Sequence, residues 1–307
     1  MRTNNEAMNK TFRHYLKEHD YAKTTITTYN DTASQFIYWC DKKNYQSNTI
    51  DYKSCLEYVK KLQQIRNGKR VSQSTIKQKV GALKIYFNYL IDLELRFDNP
   101  IDSINIRGVR RILNHNLLEF VELEDLYYSY QTHNIEFPSS PSVAIRNKVI
   151  TGFIVYQGMN TTALKSLKLE HVHIEKGIIY VPSTRKTNGR TLELKSWQIL
   201  PLSQYLEKHR DIIQDELQNY SQALFPLNSN RFDIITGQLY KKLKRINHKV
   251  VSPKQIRASV ITHWLSEYNI REVQYMAGHR YISSTERYVQ DDLENLQEVI
   301  ESLHPIS

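Results

Sequence analysis

The stretch from Ser252 to Tyr288 reads SPKQIRASVITHWLSEYNIREVQYMAGHRYISSTERY, and its spacing decides how the rest of the chain is read. Ser252 is suited to cap a helix and Pro253 to open it, because a proline at the first helical position gives up an N–H that has no intrahelical partner. Lys254 and Arg257 are three residues apart, so they share a helical face and can converge on one phosphate. An arginine fork binds two phosphate oxygens at once, which suits a developing phosphorane. Taken alone, such a pair is an ordinary solvated helix face. Ala277-Gly278-His279 closes the next amphipathic stretch, with Gly278 free to take the tight turn that would present His279. Tyr288 stands nine residues beyond His279. A phenol with a pKa of about 10 attacks at neutral pH only when cations or a base help remove its proton. With 21 tyrosines in the chain, spacing is what singles out Tyr288.

Moving a DNA strand without a metal requires a nucleophile, cationic donors around the phosphorus and an acid for the leaving oxygen. Order, spacing and chemical type in Ser252–Tyr288 together resemble the signature of the tyrosine recombinase (phage integrase) family. That signature has a histidine or lysine three before an arginine, then Gly-His, then the nucleophilic tyrosine nine further on. Ser183-Thr184-Arg185-Lys186-Thr187 is similar to the hairpin on which the family places a lysine, and Arg190-Thr191-Leu192-Glu193-Leu194 resembles the strand after it. The helical block ending at Asn99-Pro100 is similar to the family's core-binding domain, which would clamp duplex DNA from the side opposite the catalytic domain.

The resemblance implies a site-specific recombinase or integrase that cleaves and rejoins DNA through a 3′-phosphotyrosyl link at Tyr288. Arg257 and His279 would hold the nonbridging oxygens, Lys254 would help in proton handling or charge neutralisation, and Lys186 would protonate the leaving 5′ hydroxyl. Neither metal nor cofactor is implied. The implied partners are double-stranded DNA, three further copies in a synaptic homotetramer and an accessory DNA-bending protein, the free protein being a monomer or weak oligomer.

One stretch departs from the family pattern. Where a first catalytic arginine followed three residues later by an acid is expected, this chain reads Tyr156-Gln157-Gly158-Met159-Asn160-Thr161-Thr162-Ala163. A neutral Asn160 thus replaces a bidentate cation, a change comparable to losing an oxyanion donor, about 3 kcal/mol or more of transition-state stabilisation. Arg185 and Arg190 in the hairpin region are candidates to fill the gap. Of the readings of Arg190, simple contact with backbone phosphate or solvent is favoured over a place at the reacting phosphate.

Outward from this core, the fold class expected is mainly α with an α+β second half. Residues 1–106 form a helical DNA-binding domain, 107–117 a basic linker, and 118–307 a mostly helical catalytic domain with a small three-stranded antiparallel sheet. Tyr29, Ala33, Phe36, Ile37 and Cys40 recur at helical spacing from Ile26, as do Ile76, Val80, Leu83, Phe87 and Leu90. Ser74 and Thr75 are candidate caps for the second of these helices, and its Lys77, Lys79 and Lys84 lie off the apolar stripe as candidate DNA contacts. Phe97-Asp98-Asn99-Pro100 ends the helical block, since Pro100 disfavours helix at Asn99. Helices follow near Leu123 to Gln131 and Val143 to Gln157. Three short strands, His171 to Ile174, Gly177 to Val181 and Arg190 to Leu194, are separated by turns at Lys176-Gly177 and Asn188-Gly189.

A formal charge of +10, from 42 lysines and arginines against 32 acidic residues, favours a polyanionic partner. Residues Met1 to His19 carry Arg2, Lys10, Arg13 and Lys17 without an apolar block, unlike a signal peptide. Val149 to Met159 is too short to span a bilayer, which takes about 20 residues, so a cytoplasmic, nucleoid-associated protein is expected. Cys40 and Cys55 lack partners at zinc spacing and read as small core residues. Leu293, Leu296, Val299, Ile300 and Leu303 give the tail an apolar face that packs on its own domain or on a neighbouring protomer. Two other readings are a DNA-binding accessory factor that keeps the fold without cleaving, and a relaxing type IB topoisomerase; the small helical first domain and short length favour recombination.

Overall fold

The structure, a computed structural model, describes residues 11–65, 70–107, 116–133, 140–228 and 232–289. The chain divides into two compact units, 1–111 and 112–307. Most of the basic linker and the whole apolar tail from Leu293 to Leu303 lie outside the described residues.

In the first unit, residues 11–18 are helical, followed by α1 (Lys23–Lys42), α2 (Tyr52–Gln63) and α3 (Gln73–Asp92). Their inward stripes meet in a core rich in aromatic rings. Phe36 packs edge-on against Tyr58 at 5.0 Å and Phe87 at 5.6 Å between ring centres, each buried ring of this kind contributing about 1.5–3 kcal/mol. Cys40 and Cys55 are buried and free, as their isolation in the sequence suggests, and burial pushes both thiols up to about 12. The cap of α3 is Ser72, accepting from the Thr75 N–H at 3.1 Å, two residues before the expected Ser74. The helix stops at Asp92 because Glu94 adopts a left-handed backbone with φ 56°. Termination therefore precedes Pro100, whose neighbour Asn99 instead ties the following turn to Lys84 O and Asn88 Oδ1.

The second unit is built around α5 (Pro141–Val155), which Ser140 caps and Pro141 opens. It is buried on nearly every side, so its sequence shows no polar face; α4 (Phe120–Tyr128), α7 (Ser196–Gln204) and α8 (Arg210–Leu217) pack around it. A short α6 (Thr161–Ser166) leads into β1 (Val172–His173), β2 (Ile178–Val181) and β3 (Arg190–Glu193), an antiparallel sheet in chain order. The pairs Ile179↔Leu192 and Val181↔Arg190 fix the register. Strand alternation thus turns Ile179, Val181, Leu192 and Arg190 to the buried face. α9 (Phe232–Ile246), α10 (Pro253–Glu267), α11 (Ile270–Ala277) and a helical segment at 283–289 complete the unit. No helix among the described residues is long and apolar enough to cross a membrane.

Candidate active site

Local chemistry fixes the start of α10. Ser252 accepts the Gln255 N–H at 3.2 Å and Pro253 occupies the first turn, as their order in the sequence suggests. The Gln255 side chain is buried, donating to Lys249 O at 3.0 Å and to Asn116 O while accepting from Val251 N–H at 2.7 Å. With its first turn held on three sides, α10 presents Arg257 at a set position.

The guanidinium of Arg257 acts as a clasp between two turns of chain. It donates to Ala277 O at 2.7 Å and to Gly158 O. Ala277 is the last residue of α11, whose terminal carbonyls have no partner in their own helix, so the cation caps the negative end of that dipole. The helix ends in a Schellman motif: Gly278 N–H bonds Tyr275 O at 2.9 Å and His279 N–H bonds Gln274 O at 3.0 Å. Gly278 supplies the required left-handed residue, φ 69°.

This turn delivers His279 to the site. Its Nδ1 lies 2.9 Å from Thr285 Oγ1, and Arg257 Nη2 stands 3.5 Å from its Nε2. A guanidinium only donates, so the Nε2 lone pair faces Arg257 and the proton sits on Nδ1, donated to the buried Thr285 hydroxyl. Burial first, then the charges of Arg257, Arg190 and Arg287, push the imidazole down to about 4, so it is neutral at pH 7. The Tyr288 ring stacks on that of His279, 5.9 Å between centres and 10° from parallel. Burial lowers the Arg257 pKa, while the charge of Tyr288 and a hydrogen bond with it oppose that shift. The phenol therefore meets the guanidinium as well as the imidazole.

The β2–β3 hairpin is pinned to the same turn. Asn188 N–H bonds Gly278 O at 3.0 Å, Thr187 bridges His279, and Arg280 Nη2 donates to Thr184 O at 3.1 Å. Lys186 precedes Thr187 on the exposed loop, and Arg185 is exposed beside it.

Of the residues singled out in the sequence, Arg257, His279 and Tyr288 are brought together. Lys186 is carried on a loop bonded to them, and Lys254 lies exposed one turn before Arg257. In the first unit Lys77 is exposed, whereas Lys79 Nζ donates to Gln35 Oε1 at 2.7 Å and Lys84 pairs with Asp102 at 3.6 Å. Two of the three lysines expected to face DNA are thus already engaged with their own unit. Asn160 spends its side chain on a local task, accepting the Ala163 N–H at 2.9 Å as the N-cap of α6. Arg190 is 2% exposed, so of the favoured reading, contact with backbone phosphate or solvent, the solvent half does not hold. The signal was present in the alternation: Arg190 shares a strand face with Leu192, where an apolar residue belongs. Thr285, the partner that orients His279, was not singled out, and a lone threonine offers no periodicity by which to find it.

Residues 117–295 match the Phage integrase family, and residues 8–96 match the Phage integrase N-terminal SAM-like domain. A tyrosine recombinase XerC of Bacillus pumilus is 24% identical over 313 residues, covering 99% of this chain and 98% of that protein. A tyrosine recombinase XerD of Vibrio cholerae is 24% identical over 296 residues, 94% and 92% of the two chains. In fold, the chain is similar to the XerH site-specific recombinase bound to a palindromic difH substrate in a post-cleavage complex, with a TM-score of 0.67, 24% identity and coverage of 90% of this chain and 78% of that one. With the tyrosine, guanidinium and imidazole of the signature gathered at one point and the family match covering residues 117–295, this chain belongs to the phage integrase family of tyrosine recombinases.

Proposed function

We propose that this protein is a site-specific recombinase that breaks and rejoins duplex DNA through Tyr288. The observation that carries this reading is the meeting of Arg257, His279 and Tyr288, from three separate helices and turns, around one point. The phenolic oxygen attacks the scissile phosphorus, an O–P bond forms, and the bond to the 5′ oxygen breaks. Arg257 beside the phenol favours its ionised form and holds a nonbridging oxygen. His279, oriented by Thr285, serves the other oxygen. For that task the imidazole must offer an Nε2 proton, so a bound phosphate favours its protonated form. Lys186 on its loop reaches the leaving 5′ oxygen and protonates it, while Lys254 assists in proton handling. A 5′ hydroxyl from the partner duplex then reverses the chemistry and frees Tyr288; one phosphodiester is exchanged for another, so no energy source is consumed.

Four copies bring two duplexes together, the first unit gripping DNA through Lys77 and neighbouring bases, with Arg185 contacting the backbone beside the hairpin. Folded α1–α3, the charge of +10 and relatives acting in recombination support that arrangement. An accessory protein bends the DNA for this assembly, which works within the nucleoid. A nicked suicide duplex, from which the downstream fragment diffuses after cleavage, tests the reaction. Wild type accumulates a covalent protein–DNA adduct and Tyr288→Phe does not. Binding without adduct in both proteins would support instead an accessory DNA-binding role, and relaxation of supercoiled DNA without paired sites would support a topoisomerase.

A further inference from the structure

Arg190 is buried to 2% exposure, yet its Nε and Nη1 have no hydrogen-bond partner. A buried donor left without a partner destabilises the fold, and a charged one does so more. The surroundings make the placement costlier still. Building a Cβ on Gly278 would bring it within 2.5 Å of Arg190 Nη1 and 3.0 Å of Cζ, so the guanidinium lies close against the backbone of the turn that presents His279. Arg190 and Arg257 each push the imidazole of His279 away from its charged form. Burial and Arg257 also pull Arg190 itself down to about 10, which leaves it charged at neutral pH. Two guanidinium groups and an imidazole therefore share one small region. Arg257 is bonded to carbonyl oxygens, an imidazole and a phenol. Among the described residues no carboxylate forms an ion pair with either arginine.

A fold gains nothing from such an arrangement unless an anion completes it. Resting on the recombinase reading, we propose that Arg190 is a second phosphate-gripping guanidinium, which binds the scissile phosphodiester beside Arg257 and supplies the cation that Asn160 does not. Its register on β3 opposite Val181 and its packing under Gly278 hold it in place before DNA arrives, so no reorganisation is needed at the moment of reaction. The strand that follows Lys186 would thereby deliver charge stabilisation from the same hairpin that delivers the leaving-group acid.

The test replaces Arg190 and changes the charge of the phosphate. On a nicked suicide duplex with an ordinary phosphodiester, Arg190→Met should form adduct about 100-fold more slowly than wild type, and Arg190→Lys should recover part of the loss. On the same duplex with a neutral methylphosphonate at the scissile position, the gap between Arg190→Met and wild type should shrink to within about 5-fold, because less charge is left to stabilise. Equal defects on both substrates, or no defect on either, would overturn the proposal while leaving the cleavage reading intact. Titration of inorganic phosphate into the wild-type protein provides a readout independent of cleavage. The Arg190 Nε–H resonance should shift on saturation, even in Tyr288→Phe. A shift with no adduct from wild type would sink the reaction and retain the anion site; an unmoved resonance would count against Arg190.

Discussion

Arg96 in the first unit and Arg190 in the second are both buried arginines, 8% and 2% exposed, and their surroundings are opposite. Arg96 donates from Nε to Asp98 O at 2.6 Å and from Nη2 to Asp98 Oδ1 at 2.8 Å and Ile50 O at 3.3 Å, with its guanidinium 4.9 Å from the Phe87 ring centre. Only its Nη1 is left over. That cation is consumed by its own fold: it ties the end of the helical block to the loop before α2. Arg190 has the burial without the partners, and the charge that acts on it most strongly, that of Arg257, is of like sign. A buried charge that is satisfied reports on stability, and one that is not reports on what the site is waiting to bind.

The strongest way to break that comparison is to remove both cations and measure stability. Arg96→Met should lower the unfolding free energy of the protein by about 1–3 kcal/mol, because Ile50 O and Asp98 O lose their donor. Arg190→Met, which removes an unpaired buried charge and fills the space with a thioether chain, should leave stability unchanged or raise it while slowing adduct formation. Chemical denaturation of the two variants beside wild type settles the matter, and a large loss in Arg190→Met would make that residue structural like Arg96.

Gly278→Ala sharpens the comparison at the point where Arg190 meets the backbone. The left-handed turn alone costs an alanine about 1–2 kcal/mol, and its Cβ would collide with Nη1 at 2.5 Å. Displacing the guanidinium should cost more in cleavage rate than the strain costs in stability. A variant that loses stability yet cleaves at the wild-type rate would show that the contact is incidental.

A smaller effect is expected from pH. His279 is pushed down to about 4 in the folded protein, against about 6.5 for an unperturbed imidazole. Between those values the unfolded chain binds the proton first, so this group's contribution makes stability fall as pH drops from about 6.5 toward 4. Phosphate in the site opposes the two arginines and should raise the His279 pKa, so DNA binding takes up protons. NMR titration of the His279 ring, free and with a Tyr288→Phe–DNA complex, checks both signs. An unchanged value on binding would remove His279 from the phosphate's neighbourhood.

Much of this site is legible in the sequence, for a definite reason. Ser252, Pro253, Arg257, Gly278 and Tyr288 act through local spacing, cap chemistry and one glycine turn, all of which sequence order encodes. The strands were legible from alternation to within a residue or two at their ends. What escaped depends on partners distant in the chain. Lys84 has the look of a free basic residue until Asp102 is seen beside it, and Lys79 until Gln35 is. Glu94 ends α3 by a left-handed backbone that its residue type does not favour, so the helix stops ahead of Phe97-Asp98-Asn99-Pro100. The burial of Arg190 follows from the period of its strand, which sets it on the face of Leu192, whereas its charge alone points to solvent.

The most direct test of the central claim is to digest the protein–DNA adduct from a nicked suicide duplex and identify the DNA-linked peptide by mass spectrometry. A single phosphotyrosyl link at Tyr288 is expected. A link at any other tyrosine, or recovery of rejoined DNA with no covalent link trapped at all, would contradict it.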